Sequence, residues 1–328
     1  MPLVTAYELL GPAMEGGYAV GAFNANNLES VKAVIDACAE KEAPVFLQVS
    51  QGAIKYAGLE EAAGLVKAAA AKVSIPVALH LDHGTSYEQN VQCLRAGFTS
   101  LMYDGSKDSF EDNIRVSEEI CRMAHACGIP VETELGLIPK IEDYLTDEQM
   151  KPCRYGDVEC VLDLMTDEQI AKLDANMTDP QKALEFQERT GCDAMAIAIG
   201  AIHGMTGRGS RLNFDHLQKL MDTVKLPFVL HAASGIPLDQ MQKACAMGVC
   251  KVNVATRISM ALIQGSAERI NANPDEKDFR KVFDKGMDRV KEVVYEYVDL
   301  FGCAGKGKAG AGWLCGPKAV AITKESPE

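Results

Sequence analysis

Long apolar runs are missing from this sequence of 328 residues, although 47% of its residues are hydrophobic. No run reaches the eighteen or so residues that a membrane-spanning helix needs. The first ten residues (MPLVTAYELL) lack the charged segment and the apolar stretch of a secretory signal peptide. The sequence therefore predicts no membrane partner, and a core large enough for one or two domains.

Positive charge and closely paired cysteines are also scarce. Lys and Arg total 33 against 46 Asp and Glu, and the formal net charge of −13 argues against nucleic acid as a partner. An anionic small substrate is not excluded, because its binding needs only local positive donors. The 11 cysteines are scattered from Cys38 to Cys315 without a CxxC pair. We interpret them as reduced thiols of a cytoplasmic protein.

Among the features that are present, residues 76–86 (PVALHLDHGTS) stand out. A short apolar run led in by proline and stopped by glycine is typical of a buried parallel strand. The end of this run carries His80, Asp82 and His83. A buried polar group without a partner costs about 1–3 kcal/mol, so packing alone does not explain this triplet. Any one of the three could be a satisfied core residue, but together they predict a site.

Strand and helix patterns alternate along the rest of the chain. Apolar strand segments are predicted at residues 18–24, 43–50, 77–81, 99–104, 129–134, 194–200, 226–231 and 250–256, with helical patterns between them. Eight such units over about 250 residues predict a parallel sheet closed into an α/β (β/α)8 TIM barrel. A doubly wound open sheet is the alternative, but no GxGxxG follows the first strand.

Two stretches fall outside this repeat in a chain that we interpret as a single domain over residues 1–328. Residues 144–179 form an insertion after the fifth strand, and its near-duplicate segments LTDEQM and MTDEQI each predict a capped helix start. A solvated helical hairpin is our preferred interpretation, and a lid or subunit contact is the other. Residues 302–328 are predicted to be a loosely ordered tail after extra carboxyl-terminal helices, the last at 284–301.

In such a barrel, functional residues collect at the carboxyl ends of the strands. Polar residues occupy that end of every predicted strand: Asn24, Ser50, Asp82 with His83, Asp104, Glu134, His203, His231 and Asn253. Three neutral imidazoles (His83, His203 and His231) with an open fourth position make a catalytic zinc arrangement, although each alone could simply bond a backbone carbonyl. Asp104 and Glu134 could hold a second cation. His80 is predicted to support the ligands from outside their set.

The sequence resembles the class II, metal-dependent ketose-bisphosphate aldolases, the group of fructose- and tagatose-bisphosphate aldolases. Matching segments run in order along nearly the whole chain: GAFNANNLES, FLQVSQGAIKY, PVALHLDHG, GFTSLMYDGS, VETELG, AIGAIHG, VLHAASGIP and KVNVAT. The NVAT ending is closer to the tagatose type. The resemblance implies a zinc-dependent lyase of carbohydrate metabolism, such as glycolysis, working as a homodimer or homotetramer. It would reversibly cleave a ketose (bis)phosphate into dihydroxyacetone phosphate and an aldehyde.

The resemblance also implies residue roles. The implied Zn²⁺ ligands are His83, His203 and His231, with Asp104 and Glu134 at a secondary position for a second divalent or a monovalent cation. Asp82 would exchange the proton of the hydroxyl at the cleaved bond, and Glu142 would transfer a proton at the dihydroxyacetone carbon. The implied substrate contacts are Asn24, Ser50, Gly204, Ala232, Ala233, Ser234, Asn253, Val254, Ala255 and Thr256.

Three segments depart from the family pattern, and the resemblance implies that all of them lie in regions that touch substrate. HGGSG reads HAASG at residues 231–235, a Pro-Lys pair replaces a Gly-Gly hinge at 139–140, and a lysine is missing after His203. Arg208 or Arg211 could replace its charge. Because the implied metal ligands are intact, we expect a working metal site with altered substrate preference. The alternatives are a paralogue for a different phosphorylated ketose, a non-catalytic barrel that binds metal or sugar phosphate, or another metal enzyme such as a hydrolase.

Overall fold

The computed structural model of the chain describes residues 3–155 and 161–307. Within these ranges the strands are β1 Val20–Asn24, β2 Val45–Ser50, β3 Val77–Asp82, β4 Leu101–Tyr103, β5 Val131–Leu135, β6 Ala194–Ile197, β7 Phe228–Leu230 and β8 Val249–Val254. The α-helices are α1 Tyr7–Gly16, α2 Leu28–Glu40, α3 Gln51–Ala57, α4 Leu59–Ala70, α5 Tyr87–Arg95, α6 Phe110–His125, α7 Asp147–Tyr155, α8 Asp167–Ala175, α9 Pro180–Thr190, α10 Phe214–Thr223, α11 Leu238–Met247, α12 Thr256–Ala272 and α13 Phe279–Leu300. Short 3₁₀ helices lie at Ile141–Asp143, Val161–Leu164 and Ala233–Gly235.

The strands form one parallel sheet in the order β3-β2-β1-β8-β7-β6-β5-β4. Its two outer strands meet through parallel bridges at His80 with Ser100 and at Gly84 with Tyr103. The Leu81 amide also donates a hydrogen bond of 3.0 Å to the Ser100 carbonyl. These contacts close the sheet, so the predicted (β/α)8 barrel is confirmed.

Burial on both faces explains why the strands read as continuous apolar runs. All six residues of β3 are buried, although two of them, His80 and Asp82, are polar or charged. Inward-facing side chains fill the barrel, and outward-facing ones pack beneath the helices. Within the described ranges, no helix is both long and apolar enough to cross a membrane.

Two helices were not predicted from the sequence, α3 and α12. Helix α3 has only seven residues and follows its strand directly, with the Ser50 hydroxyl accepting from the Ala53 amide at 3.2 Å. Helix α12 buries only Ile258, Ala261 and Gly265, so it lacks a stripe of large apolar residues. A Cβ at Gly265 would lie 2.5 Å from the Lys285 carbonyl oxygen, so glycine lets α12 and α13 approach closely.

The insertion after β5 carries an apolar cluster of its own. Both predicted helix starts are present as α7 and α8, and the Thr166 hydroxyl caps α8 by accepting from the Gln169 amide at 3.3 Å. The cluster comprises Ile141, Tyr144, Leu145, Met150, Val161, Met165, Leu173, Ile202 and Met205. Because Ile202 and Met205 flank His203, this cluster packs the insertion against the segment that carries a candidate ligand. The hairpin, lid and subunit-contact interpretations of the insertion stay predictions. Residues 156–160 and the predicted tail from 308 onward lie outside the described residues.

Candidate active site

A cavity of about 600 Å³ opens at the carboxyl ends of the strands. The predicted site residues that line it are Asn24, Ser50, Asp82, His83, Asp104, Glu134, His203, Gly204, His231, Ala232, Ser234, Asn253, Ala255 and Thr256. They come from all eight strands or from the segments that directly follow them. The barrel therefore brings together most of the residues that strand ends alone suggested.

Three histidines form the centre of this cavity. The ring centroids of His83 and His231 are 4.8 Å apart, and those of His83 and His203 are 5.4 Å apart. One nitrogen from each ring lies within 4.8 Å of the others. His83 adopts a left-handed backbone with φ of +52°, which non-glycine residues seldom do and which functional sites often contain.

Hydrogen bonds orient two of these rings. The Nδ1 atom of His83 lies 2.8 Å from Asp104 Oδ2, which leaves its Nε2 atom directed at His231 Nδ1, 3.2 Å away. The Nε2 atom of His203 is buried without a hydrogen-bond partner among the described residues. Three ring nitrogens therefore converge on one space, and once His83 gives up its proton to a bound metal they are the donor set that a divalent cation such as zinc accepts.

A second group of ligand atoms adjoins the first and comprises His83, Asp104 and Glu134. Glu134 Oε2 is also buried without a hydrogen-bond partner in the described chain. Since an unpaired buried polar atom is costly, a cation would stabilise both orphaned atoms. The residues present thus fit a bound metal ion.

The pKa values show that carboxylates and burial dominate the electrostatics of this cavity. Burial, reinforced by Asp104, raises the pKa of Glu134 to about 8. Burial alone would lower the pKa of His83, but the carboxylates of Asp82, Asp104 and Glu134 outweigh it and raise that pKa to about 10. Burial and the nearby His83 lower the pKa of His203 to about 3 and that of His231 well below its usual range. Two imidazoles are therefore held neutral, the form that binds metal.

Asp82 stands beside the histidines but outside both groups of metal-binding atoms found in the described chain. Its carboxylate accepts from the Asn24 amide at 3.3 Å and from the Asn253 amide at 3.2 Å. Asp82 Oδ1 lies 3.9 Å from His83 Nε2. Two amides thus fix this carboxylate next to the candidate metal-binding atoms, in a position typical of a general acid–base group.

A model of one protein family, described as class II fructose-bisphosphate aldolase, matches residues 4–306. The chain belongs to the class II fructose-bisphosphate aldolase family. It is therefore an enzyme of the aldolase class, a carbon–carbon lyase, from a metal-dependent family that acts on small phosphorylated sugars. This confirms the resemblance inferred from the sequence segments.

Individual relatives of this aldolase match over nearly their full length. The fructose-bisphosphate aldolase of Geobacillus stearothermophilus is 36% identical over 309 residues, which is 93% of this chain and 99% of the relative. That of Thermus caldophilus is 37% identical over 327 residues, with the same coverage of 93% and 99%. The crystal structure of the YdjI aldolase from Escherichia coli K12 has a TM-score of 0.75 at 31% identity, covering 93% of this chain and 100% of that one.

Two of the segments that carry implied substrate contacts, residues 232–234 and 253–256, meet at the start of α12. The Ser234 hydroxyl accepts from the Arg257 amide at 3.2 Å, which joins the segment after β7 to this helix start. Backbone amides at a helix start are a ready site for phosphate. Ala232 has φ of +59°, so the left-handed turn forms although alanine replaces the family's glycine there. A non-glycine residue in this conformation costs roughly 1–2 kcal/mol.

Three predicted site residues do not line the cavity among its described wall residues: Glu142, Ala233 and Val254. Val254 is buried because alternate residues of a strand face opposite sides and its neighbour Asn253 points inward. Ala233 is buried in the core. Glu142 lies at the rim, where its carboxylate oxygens are 3.6–3.7 Å from where a Cβ on Gly204 would stand. Its neighbour Asp143 lines the cavity instead.

The structure does not support either arginine as a replacement for the missing lysine. Arg208 donates to both carboxylate oxygens of Glu296 on α13, at 3.3 and 3.1 Å. Neither Arg208 nor Arg211 is among the described wall residues, whose cationic side chains are Lys107 and Lys140. The spacing after His203 could not reveal this, because the path of the loop decides where an arginine points.

Sequence reasoning also missed two charged residues beneath the cavity, Glu132 and Lys251. Both are buried, and they form an ion pair of 2.7 Å. The signal was present, since VETEL and KVNV each place a charge two residues before a predicted site residue on a buried strand. Residues two apart on a strand share a face, so both charges had to point into the barrel.

Proposed function

We propose that the protein is a Zn²⁺-dependent aldolase that reversibly cleaves a ketose bisphosphate or monophosphate into dihydroxyacetone phosphate and an aldehyde. The observation that carries this proposal is the convergence of His83, His203 and His231 beside Asp82 in one cavity. Zinc is the proposed ion because three imidazoles with an open fourth position suit it.

The three histidines would hold the ion, with Asp104 and Glu134 offering a secondary position for a second divalent or a monovalent cation. When bound, the ion supplies Lewis-acid stabilisation of the negative charge that cleavage leaves beside the ketone. Asp82 would take the proton from the hydroxyl at the cleaved bond and return it in the reverse reaction. Its two amide partners support this role, because they hold the carboxylate without neutralising it.

Glu142 would transfer the proton at the dihydroxyacetone carbon. Its carboxylate lies beside Gly204, the residue after His203. The backbone supports this position: the His203 amide donates to the Pro139 carbonyl at 2.8 Å, and the Ile141 amide donates to the His203 carbonyl at 3.1 Å. The loop that carries Glu142 is thereby fastened to the segment that carries a proposed ligand.

The sugar would lie against Asn24 and Ser50, and its phosphate against the backbone of the segment after β7 and the start of α12. The proposed contacts to the phosphate and to the enediolate are the cavity-lining members of the implied set: Gly204, Ala232, Ser234, Asn253, Ala255 and Thr256. Ala233 and Val254 are buried and are not proposed as contacts. Lys107 and Lys140 on the cavity wall would add the positive charge that an anionic substrate needs.

A paralogue for a different phosphorylated ketose is the second candidate. It is favoured by the wall lysines, because Lys140 reaches the cavity from the loop after β5 and Lys107 from the segment after β4. Neither stands in the segment after His203, where the family usually has its lysine. Because these lysines attract a phosphate to a different part of the cavity, they favour a ketose whose phosphate is attached at a different position.

We also propose a homodimer or homotetramer located in the cytoplasm. Tyr56 and Ile263 are 72% and 67% exposed and line one shallow depression, which supports a covered face between subunits. The eight cysteines whose side chains the structure describes are free, which supports reduced thiols. Light scattering at micromolar concentration would measure the assembly, and a monomer would contradict it.

The experiment that tests the function is a cleavage panel of ketose mono- and bisphosphates, assayed for released triose phosphate with and without chelator. We expect cleavage of at least one sugar, its loss with chelator and its recovery with Zn²⁺. The matched variant His231→Ala should hold well below one equivalent of zinc by elemental analysis. Full zinc retention would remove His231 from the ligand set, and chelator-resistant cleavage would contradict the metal-dependent reaction.

A further inference from the structure

A fully buried lysine lies beneath the histidine cluster. Lys251 is 0% exposed and Glu132 is 3% exposed, and their Nζ and Oε2 atoms are 2.7 Å apart. Taking two charges out of water costs several kcal/mol per ion, and the attraction between them often fails to offset that cost. A hydrophobic pair of similar volume would serve the core at least as well. The ion pair therefore calls for an explanation other than stability.

The contacts of the pair lead to a proposed metal ligand. Glu132 Oε1 lies 3.0 Å from His231 Nε2, and the Asn253 amide nitrogen lies 3.0 Å from the same ring atom. Protein groups thus enclose Nε2. The other ring nitrogen, Nδ1, is the one that faces His83 Nε2 at 3.2 Å. An amide nitrogen only donates and a carboxylate only accepts, so these two contacts alone would call for opposite tautomers of His231. The Asn253 amide donates to Asp82 Oδ1 at 3.2 Å, whereas Glu132 Oε1 needs a donor. The proton therefore belongs on Nε2, which leaves the lone pair on Nδ1.

Lys251 in turn fixes Glu132. Its ammonium group holds Oε2, so the carboxylate cannot rotate away and Oε1 stays directed at His231. Lys251 Nζ also lies 3.3 Å from His80 Nε2, while His80 Nδ1 lies 2.7 Å from the Ser100 hydroxyl. The positive charge of Lys251 balances Glu132 locally, so that this carboxylate adds little to the negative field of Asp104 and Glu134.

We propose that Glu132 and Lys251 are positioning residues, which hold His231 in the tautomer and orientation that present Nδ1 to the metal. This inference rests on the proposed function, because it takes His231 as a ligand. The inference goes beyond the proposed function because it assigns a role to two residues that contact neither metal nor substrate. Partners of this kind typically change metal affinity by about 10–100-fold when they are replaced.

The test variant is Glu132→Gln combined with Lys251→Met, which removes both charges at nearly constant volume. It leaves no unpaired ion in the core, and the Gln amide can present either an oxygen or a nitrogen to His231. The first readout is the ¹⁵N chemical shifts of the His231 ring in metal-free protein, which report the tautomer directly. The second is Zn²⁺ affinity by competition with a chromogenic chelator.

We expect a mixed tautomer of His231 and Zn²⁺ binding that is about 10–100-fold weaker than in the unaltered protein. The matched control is Asp193→Asn, which removes the carboxylate partner of His125 at the other end of the barrel. It should change neither readout. An unaltered tautomer with unaltered Zn²⁺ affinity in the folded double variant would overturn the proposal.

Two further variants keep the outcomes distinct. If the double variant does not fold, Glu132→Asp withdraws the acceptor by one methylene while keeping the charge, and the same two readouts decide in the same way. His231→Ala separates this inference from the proposed function. Zinc retention in His231→Ala defeats the metal assignment itself. Zinc loss there, together with full retention in the double variant, defeats only the positioning role.

Discussion

The two ends of this barrel carry the same residue types in different states. At the amino end, Asp193 Oδ1 accepts from the Tyr7 hydroxyl at 2.6 Å. Its Oδ2 lies 2.7 Å from His125 Nε2 and accepts from the Val131 amide at 2.8 Å. At the carboxyl end, by contrast, His203 Nε2 and Glu134 Oε2 are buried with no hydrogen-bond partner among the described residues.

This difference separates a structural cluster from a site. Both clusters combine imidazole and carboxylate, and the His125–Asp193 and His83–Asp104 pairs are similarly exposed, at 30% and 16% and at 30% and 17%. Neither composition nor the exposure of these pairs distinguishes the clusters. The amino-end cluster satisfies its polar atoms internally and ties α1, α6 and β5 together. The carboxyl-end cluster leaves its lone pairs directed at a common space. Buried groups that lack partners in the protein mark the place where a ligand completes the bonding.

Among variants that test the difference between the two ends of the barrel, Asp82→Ala at the carboxyl end is expected to have the largest effect on turnover. A general acid–base group contributes typically about 10²–10⁴-fold in rate, and turnover should fall by that range. Zinc should stay bound, because Asp82 lies outside both groups of candidate ligands found in the described chain. Steady-state kinetics with elemental analysis would check this. Near-normal turnover, or loss of zinc, would contradict the proton-transfer role.

The next largest effect is expected at the amino end, from Asp193→Asn. Three donor groups would lose a charged acceptor, so the free energy of unfolding should fall by about 1–3 kcal/mol. Zinc content and turnover of the folded protein should not change. Urea denaturation alongside the cleavage assay would measure both. A loss of turnover at full zinc occupancy would show that the two ends are coupled and break the contrast.

Much of this architecture could be predicted from the sequence, because strand periodicity and strand termini are local signals. Each strand end pointed to a polar residue, and the closed barrel then required those residues to meet. The packing of the insertion against Ile202 and Met205 could not be predicted, since no local pattern encodes which surface a loop covers. The pairing of Arg208 with Glu296 escaped for the same reason.

Lys251 shows a different limit of sequence reasoning. Strand alternation places the lysine of KVNV on the same face as Asn253, but it does not show which group pairs with the charge. Its partner Glu132 lies on another strand, 119 residues away. Only the order of strands in the barrel, with β5 and β8 facing across its interior, brings the two charges together.

A smaller effect at the carboxyl end is expected from Ala232→Gly with Ala233→Gly. Glycine lets the backbone approach a phosphate closely, so the Michaelis constant for fructose or tagatose bisphosphate should fall while turnover stays nearly constant. The left-handed backbone costs Ala232 roughly 1–2 kcal/mol, so the Michaelis constant should decrease by about tenfold at most. The single variant Ala233→Gly is the control, because Ala233 is buried and already in a right-handed segment. An unchanged Michaelis constant would show that the alanines are harmless.

The smallest effect concerns pH and belongs to the amino end. The hydrogen bond to Asp193 raises the pKa of His125 above its ordinary value. A histidine with a raised folded-state pKa adds stability that is fully present below its unfolded pKa of about 6.5, and this stability is lost as pH rises through the folded value. In His125→Gln the side-chain amide can still donate to Asp193 but does not titrate. The stability difference between the unaltered protein and this variant should therefore be larger at low than at high pH, by less than about 1 kcal/mol because the pair is partly solvated. Urea denaturation of both proteins at pH 5.5 and pH 8.5 would measure it. A stability difference that grows with pH would mean that the fold stabilises His125 as the neutral ring. The charged contact between His125 and Asp193 would then not contribute to the internal bonding that distinguishes the amino end of the barrel from the carboxyl end.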